Sequence, residues 1–87
     1  MFNVRYFAPD GTETPMAAQS YEVIKKKTKV TVRVWDTIMK DDRAPIAEWT
    51  GTERDGSAPG DAVVLIANRF GTPLETVYME QTKYLHM

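Results

Sequence analysis

The sequence predicts an α+β fold: a small single domain, residues 1–87, in which an antiparallel sheet carries one to three short helices. Three observations lead to this prediction. The length of 87 residues suits one domain with one hydrophobic core. The composition, 43% hydrophobic and 26% charged, is that of a globular protein. Apolar and polar side chains alternate near residues 2–8, 29–38 and 45–50, as they do in half-buried strands. An almost all-β small barrel or sandwich is the alternative.

The N-terminal third is expected to contain one strand and one helix. Residues 2–8 alternate strictly, and the following Pro9-Asp10-Gly11-Thr12 is typical of a turn, because proline fixes φ and glycine tolerates a positive φ. The next segment favours a helix, since Pro15 suits the first helical position and is followed by good helix formers. A strand over residues 21–25 that turns at Lys27-Thr28 is the alternative.

Residues 29–38 and 45–50 are expected to form an antiparallel pair. Valine recurs at every second position from Val30 to Val34, so that one face of the first strand is apolar. A loop rich in aspartate separates the two strands and ends at Pro45.

The last third of the chain is ambiguous between helix and strand. The apolar run over residues 62–67 fits a buried strand as well as a buried helix. Residues 74–85 carry a helical stripe of apolar side chains, yet Thr76-Val77-Tyr78 within them favours a strand. We leave both segments open between the two structures.

If both are helices, the segment 61–85 resembles a helix-turn-helix of DNA-binding proteins. In that resemblance the small Ala67 lies at the helix crossing, Gly71 lies in the turn, and Val77 packs from the second helix. The second helix would carry more acidic than basic side chains, which opposes its approach to phosphate groups.

The side chains that most enzymes use at neutral pH are scarce. The chain has no cysteine, and its single histidine is His86. We therefore expect a protein that is not an enzyme, with no catalytic residue, no cofactor and no metal site. A cation held by the carboxylates of Asp36, Asp41, Asp42 and Glu48 is the least favoured alternative, because their spacing matches no calcium loop.

A basic stretch and two tryptophans are the candidates for binding. Four lysines between residues 25 and 29 stand in a chain whose formal net charge is −1. Arginine and tryptophan on one strand face have the composition of a protein-binding hot spot, and lysines beside an indole also suit nucleic acid. The candidate binding residues are Arg33, Trp35, Trp49, Lys25, Lys26, Lys27 and Lys29.

These observations favour a non-catalytic protein that binds another protein, as an adaptor, an inhibitor or a subunit of a larger assembly. Short chains of this type occur among accessory and inhibitor proteins of phages and mobile elements. Nucleic acid is the alternative partner, through the basic strand 25–33 or through the segment 61–85, and a homodimer is a further alternative. We expect no membrane partner, since the longest apolar run is far shorter than a bilayer span. The absence of cysteine fits a cytoplasmic location.

Overall fold

The chain is almost all-β, so the prediction of an α+β domain was wrong. The computed structural model describes residues 1–56 and 58–86, with side chains for residues 1–56 and 58–80. One short 3₁₀ turn, Lys40–Asp42, is the only helical element of this described part. The strands are β1 (Phe2–Phe7), β2 (Glu13–Ala18), β3 (Ser20–Lys26), β4 (Lys29–Trp35), β5 (Ala47–Arg54), β6 (Asp61–Asn68) and β7 (Pro73–His86).

All seven strands belong to one antiparallel sheet with the order β2-β1-β6-β7-β5-β4-β3. β2 and β3 lie at opposite edges of this sheet, yet Gln19 alone connects them. The sheet must therefore fold over on itself, and the ring of Phe2 in β1 meets the ring of Tyr21 in β3 at 5.0 Å between centroids. The result is a two-layer arrangement with the core between the layers.

The long strand β7 is shared by both layers. Its residues 73–80 pair with β6 and its residues 78–86 pair with β5. We call β2, β1, β6 and the start of β7 the first layer, and the end of β7 with β5, β4 and β3 the second layer.

The core is built from the inward-facing residues of both layers. The indole of Trp49 is fully buried and stacks on the ring of Tyr6, with 5.5 Å between centroids. Removing such side chains from water supplies most of the stability of a small domain that has no disulfide. The core residues are Val4, Tyr6, Ala18, Val30, Val32, Val34, Ala47, Trp49, Ala62, Val64, Ile66, Val77 and Met79.

The helix predicted after the first turn is replaced by β2 and β3. The backbone N–H of Ala8 donates to the carbonyl oxygen of Thr12 at 2.8 Å. Hydrogen-bonded and non-hydrogen-bonded pairs alternate along an antiparallel ladder, so Pro15, which pairs with Arg5, is at a non-hydrogen-bonded position and its nitrogen points away from β1. A proline is compatible with an edge strand in this orientation, because no ladder hydrogen bond is lost. Pairing with β1 thus outweighs the helix preference of the alanines that follow.

The helix-turn-helix interpretation of residues 61–85 is also wrong, because this segment is the β6–β7 hairpin. Asn68 accepts a hydrogen bond from the N–H of Gly71, whose φ of 87° closes the turn. The β-branched residues on both strands favour this pairing over two helices.

The strands predicted from alternation lie where expected, with shifted ends. β4 ends at Trp35, so residues 36–38 belong to a loop, and β5 extends to Arg54 instead of ending near residue 50. β4 and β5 are antiparallel neighbours.

Candidate binding surfaces

The two tryptophans predicted to bind a partner are both buried. Trp49 lies in the core and has no exposed surface. Trp35 is on the outer face of β4, but the loop that follows covers it, and 5% of its surface is exposed. Its indole Nε1 donates to the carbonyl oxygen of Arg43 at 2.9 Å, and the ammonium of Lys40 lies 5.6 Å from its ring centroid. Neither indole offers a surface to a partner in this structure.

Arg33 is accessible, but two carboxylates neutralise it. It lies on the outer face of β4, with a side chain that is 36% exposed. Its guanidinium nitrogens are 3.4 Å from Glu22 of β3 and 3.5 Å from Glu48 of β5. The two carboxylates therefore outweigh the single positive charge of Arg33.

The four predicted lysines lie around the β3–β4 hairpin. Lys25 reaches Glu53 on the core-facing side, with 2.7 Å between Nζ and Oε2, and this hydrogen bond raises the pKa of Lys25. Lys26, Lys27 and Lys29 are exposed, and no carboxylate of a described residue lies within 4 Å of their ammonium groups.

A basic groove lies on the outer face of β3 and β4. Its volume is about 340 Å³. Alternation brings side chains from both strands to this face, so lysines from either side of the hairpin turn meet there. The residues that line the groove are Ile24, Lys26, Lys29, Thr31 and Arg33.

A second surface was missed by the sequence analysis: the outer face of β6. Ala62, Val64 and Ile66 point into the core, while Val63 and Leu65 point to the opposite side and are partly exposed. Strands that are apolar on both faces are typical of sheets covered on both sides. Here the described residues bury the inner side, whereas Val63 and Leu65 on the outer side stay partly exposed.

Neighbouring strands extend this apolar surface. Phe7 of β1 and Tyr78 of β7 pair with Val63 from its two sides. Leu65 pairs with Arg5 of β1, and Arg5 in turn pairs with Pro15 of β2. We call the outer face formed by Phe7, Pro15, Val63, Leu65, Ala67 and Tyr78 the β6 face.

A groove with a volume of about 490 Å³ lies at the β1 and β2 end of the β6 face. Leu65, Ala67 and Pro15 line it, together with Arg5. Arg5 is fixed by Glu13, at 2.8 Å between Nη2 and Oε1. The hydrogen bond from this guanidinium lowers the pKa of the Glu13 carboxyl and raises the pKa of Arg5.

Two exposed apolar side chains, Phe70 and Leu74, lie near the β6–β7 turn. Phe70, in the turn beside the groove residue Gly71, is 78% exposed, and the guanidinium of Arg69 lies 4.7 Å from its ring centroid. Leu74, at the bulge opposite Ala67, is 44% exposed. They add apolar area to the rim of the β6 face.

The sequence does contain the signal for this face. The run over residues 62–67 has no polar residue at alternate positions, which the half-buried strands of this chain do have. In a strand, such a run is typical of burial on both faces.

A further pair of exposed apolar residues lies on a different surface. Ile38 is 78% exposed and Met39 is 63% exposed, in the loop that covers Trp35. They lie on a surface separate from the β6 face.

The described residues contain neither a cluster of metal-ligating side chains nor a helix that could span a membrane. No group of three or more histidine, cysteine, aspartate or glutamate side chains among the described residues is arranged to hold a metal ion. The predicted carboxylates Asp36, Asp41, Asp42 and Glu48 are among these residues and form no such group. The side chain of His86 lies outside the described part. No helix in that part is long and apolar enough to cross a membrane.

Comparison with known proteins gives no relative. No protein family, no curated protein and no solved structure matches the chain significantly.

Proposed function

We propose that the protein is a non-catalytic binding protein that contacts another protein through the β6 face. The observation that carries this proposal is that β6 is apolar on both sides over residues 62–67, while Val63 and Leu65 on its outer side stay partly exposed. An exposed apolar surface on a central strand is costly in water, and burial against a partner recovers that free energy. An adaptor, an inhibitor or a subunit of a larger assembly, acting in the cytoplasm, fits this proposal.

The chemistry of the β6 face supports a protein as the partner. The face combines aromatic and aliphatic side chains with one arginine, which is the composition of protein-binding hot spots. Its charges are balanced, because Glu13 neutralises Arg5 at 2.8 Å. It also lies on paired strands, so little conformational entropy is lost when a partner binds.

The same observations weigh against nucleic acid on this face. Binding of a phosphate backbone needs several uncompensated cations, whereas Arg5 is paired with Glu13 and Arg69 at the rim is a single cation. The tryptophans that would stack on bases, Trp35 and Trp49, are buried.

A capture experiment tests the proposal. The purified chain, tagged and immobilised, is incubated with lysate of its source cells, and retained proteins are compared by quantitative mass spectrometry. Leu65→Asp places an uncompensated charge in the middle of the β6 face, and Leu74→Asp does so at its more exposed rim. We expect at least one protein that is retained by the wild type and depleted at least tenfold by either variant.

Ile38→Asp is the matched control, because it puts the same charge at an exposed apolar residue on another surface. It should retain the partner. Circular dichroism and thermal unfolding identify which variants are folded. If Leu65→Asp does not fold, Leu74→Asp still decides the test. A folded Leu74→Asp variant that retains every protein bound by the wild type contradicts the proposal, as does equal depletion by Ile38→Asp.

A further inference from the structure

One edge of the sheet has hydrogen-bonding groups that no strand uses. Among the described strands, β3 pairs with β4 only. The hairpin between them has a two-residue turn, so the last residue of β3 forms a hydrogen-bonded pair with the first residue of β4. Alternation then points the backbone N–H and C=O groups of Val23 and Lys25 away from β4. The ammonium of Lys40 donates to the carbonyl oxygen of Tyr21 at 3.3 Å from this same open side, as the alternation requires.

The other edge of the sheet is blocked. In β2 the proline at residue 15 stands at an outward-pointing position, so the middle of that edge lacks an N–H donor. β3 has neither proline nor glycine in its seven residues. An added strand can therefore form a regular ladder on β3 but not on β2.

The charge is positive at the end of the open edge nearest the hairpin turn. Lys26 and Lys29 line the basic groove beside it, Lys27 is exposed at the turn, and no described carboxylate lies within 4 Å of these three ammonium groups. Lysines on an edge strand oppose pairing with a basic strand and favour pairing with an acidic one.

We infer that the β3 edge and the basic groove together bind an extended peptide segment of another protein, in which acidic side chains alternate with apolar ones. In such a complex the peptide backbone hydrogen-bonds to Val23 and Lys25, which supplies affinity. Every second side chain of the added strand then faces the outer side, where carboxylates reach Lys26 and Lys29 and supply specificity. This surface is separate from the β6 face, and the inference does not depend on the proposed function.

Nucleic acid is the less favoured ligand for the same surface. Single-stranded nucleic acid binds through exposed aromatic rings as well as cations. Beside these lysines, Trp35 is buried, and Arg33 is compensated by Glu22 and Glu48. Free backbone N–H and C=O groups in strand geometry are suited to a peptide backbone.

A fluorescent peptide of about seven residues, valine alternating with aspartate or glutamate, is a direct probe, since typical strands have about this length. Fluorescence anisotropy with the full chain measures its affinity. Three companions share its length: a peptide with lysine in place of the acids, the acidic peptide with N-methyl groups on alternate amides, and an oligothymidine. Because N-methylation removes backbone donors, we expect affinity roughly tenfold or more below that of the parent peptide.

Variants of the chain separate the backbone from the charge. Val23→Pro removes an N–H that points away from β4 and so leaves the β3–β4 hydrogen bonds intact. The native Pro15 occupies an equivalent outward position in β2. The variant should weaken peptide binding roughly tenfold. The double variant Lys26→Glu with Lys29→Glu should abolish binding of the acidic peptide. Leu65→Asp on the β6 face should leave it unchanged, so this inference and the proposed function can fail independently.

Three results would overturn the inference. The first is no binding of the acidic peptide at about 1 mM, which is weaker than specific recognition requires. The second is equal binding of the N-methylated and parent peptides, which would mean that the strand edge is not used. The third is tighter binding of oligothymidine than of the acidic peptide, which would make this a nucleic-acid surface. If Val23→Pro does not fold, the N-methylated peptide still decides between the outcomes.

Discussion

Two adjacent valines of β6 test whether its two faces differ as described. Val64 is fully buried in the core, whereas Val63 lies on the β6 face and is partly exposed. Val64→Ala removes two carbon atoms from the core, which costs about 1.6 kcal/mol at about 0.8 kcal/mol per methylene. The cavity left behind adds about 1 kcal/mol. Val63→Ala should cost less than about 1 kcal/mol, because water already reaches that side chain.

The comparison is matched, since both residues lie in the same strand and lose the same β propensity on substitution. Urea unfolding followed by circular dichroism gives the two free energies of unfolding, with the slope checked for constancy. For a domain of this size, Val64→Ala should lower the Tm by about 10–20 °C, at about 4–8 °C per kcal/mol.

Equal destabilisation by the two substitutions would refute the reasoning. A larger loss for Val63→Ala would mean that the strand register is shifted by one residue, because such a shift exchanges the two faces. Repeating the measurement at tenfold higher protein concentration shows whether the chain associates with itself through this face. A loss at Val63 that grows with concentration would mean that a second copy of the chain covers the β6 face.

Two further predictions concern the second layer. Trp35→Phe removes the hydrogen bond to Arg43 while keeping a ring beneath Lys40. We expect it to lower the free energy of unfolding by about 1 kcal/mol and to speed tryptic cleavage in the loop after β4, measured by mass spectrometry. Unchanged cleavage would show that this bond does not hold the loop. Glu53 raises the pKa of Lys25 in the folded chain above its ordinary value of 10.5. This stabilisation is complete below pH 10.5 and is lost as the pH rises through the folded pKa. Lys25→Met should therefore lose less stability than the wild type on alkaline titration, whereas the Lys27→Met control should behave as the wild type.

The parts of the fold that local pattern determines could be predicted from the sequence. The alternation of valines over residues 30–34 places β4, and the turn at residues 9–12 ends β1, because both depend on neighbouring residues alone. For β2 and β3 the local pattern favours a helix instead, with a strand over residues 21–25 only as the alternative. Pro15 and the alanines after it favour a helix locally, and pairing with the neighbouring hairpin strands β1 and β4 makes residues 13–26 strands instead.

The candidate binding residues show a similar division. Alternation correctly places Arg33 and Trp35 on the outer face of β4, but it does not show that the loop over residues 36–46 folds back across the indole. The β6 face had a readable signal in residues 62–67. That signal becomes interpretable only when the topology shows which side of β6 the rest of the chain covers.

The central claim, that the outer side of β6 is uncovered in the free chain and covered by a partner, is best tested by thiol labelling. Because the chain has no cysteine, a single introduced thiol reports one position. Leu65→Cys should react rapidly in the isolated protein and become protected when the captured partner is added. Ile66→Cys, on the core side, should react slowly in both states, limited by unfolding. Slow labelling of Leu65→Cys in the isolated chain, or labelling that the partner leaves unchanged, would contradict the claim.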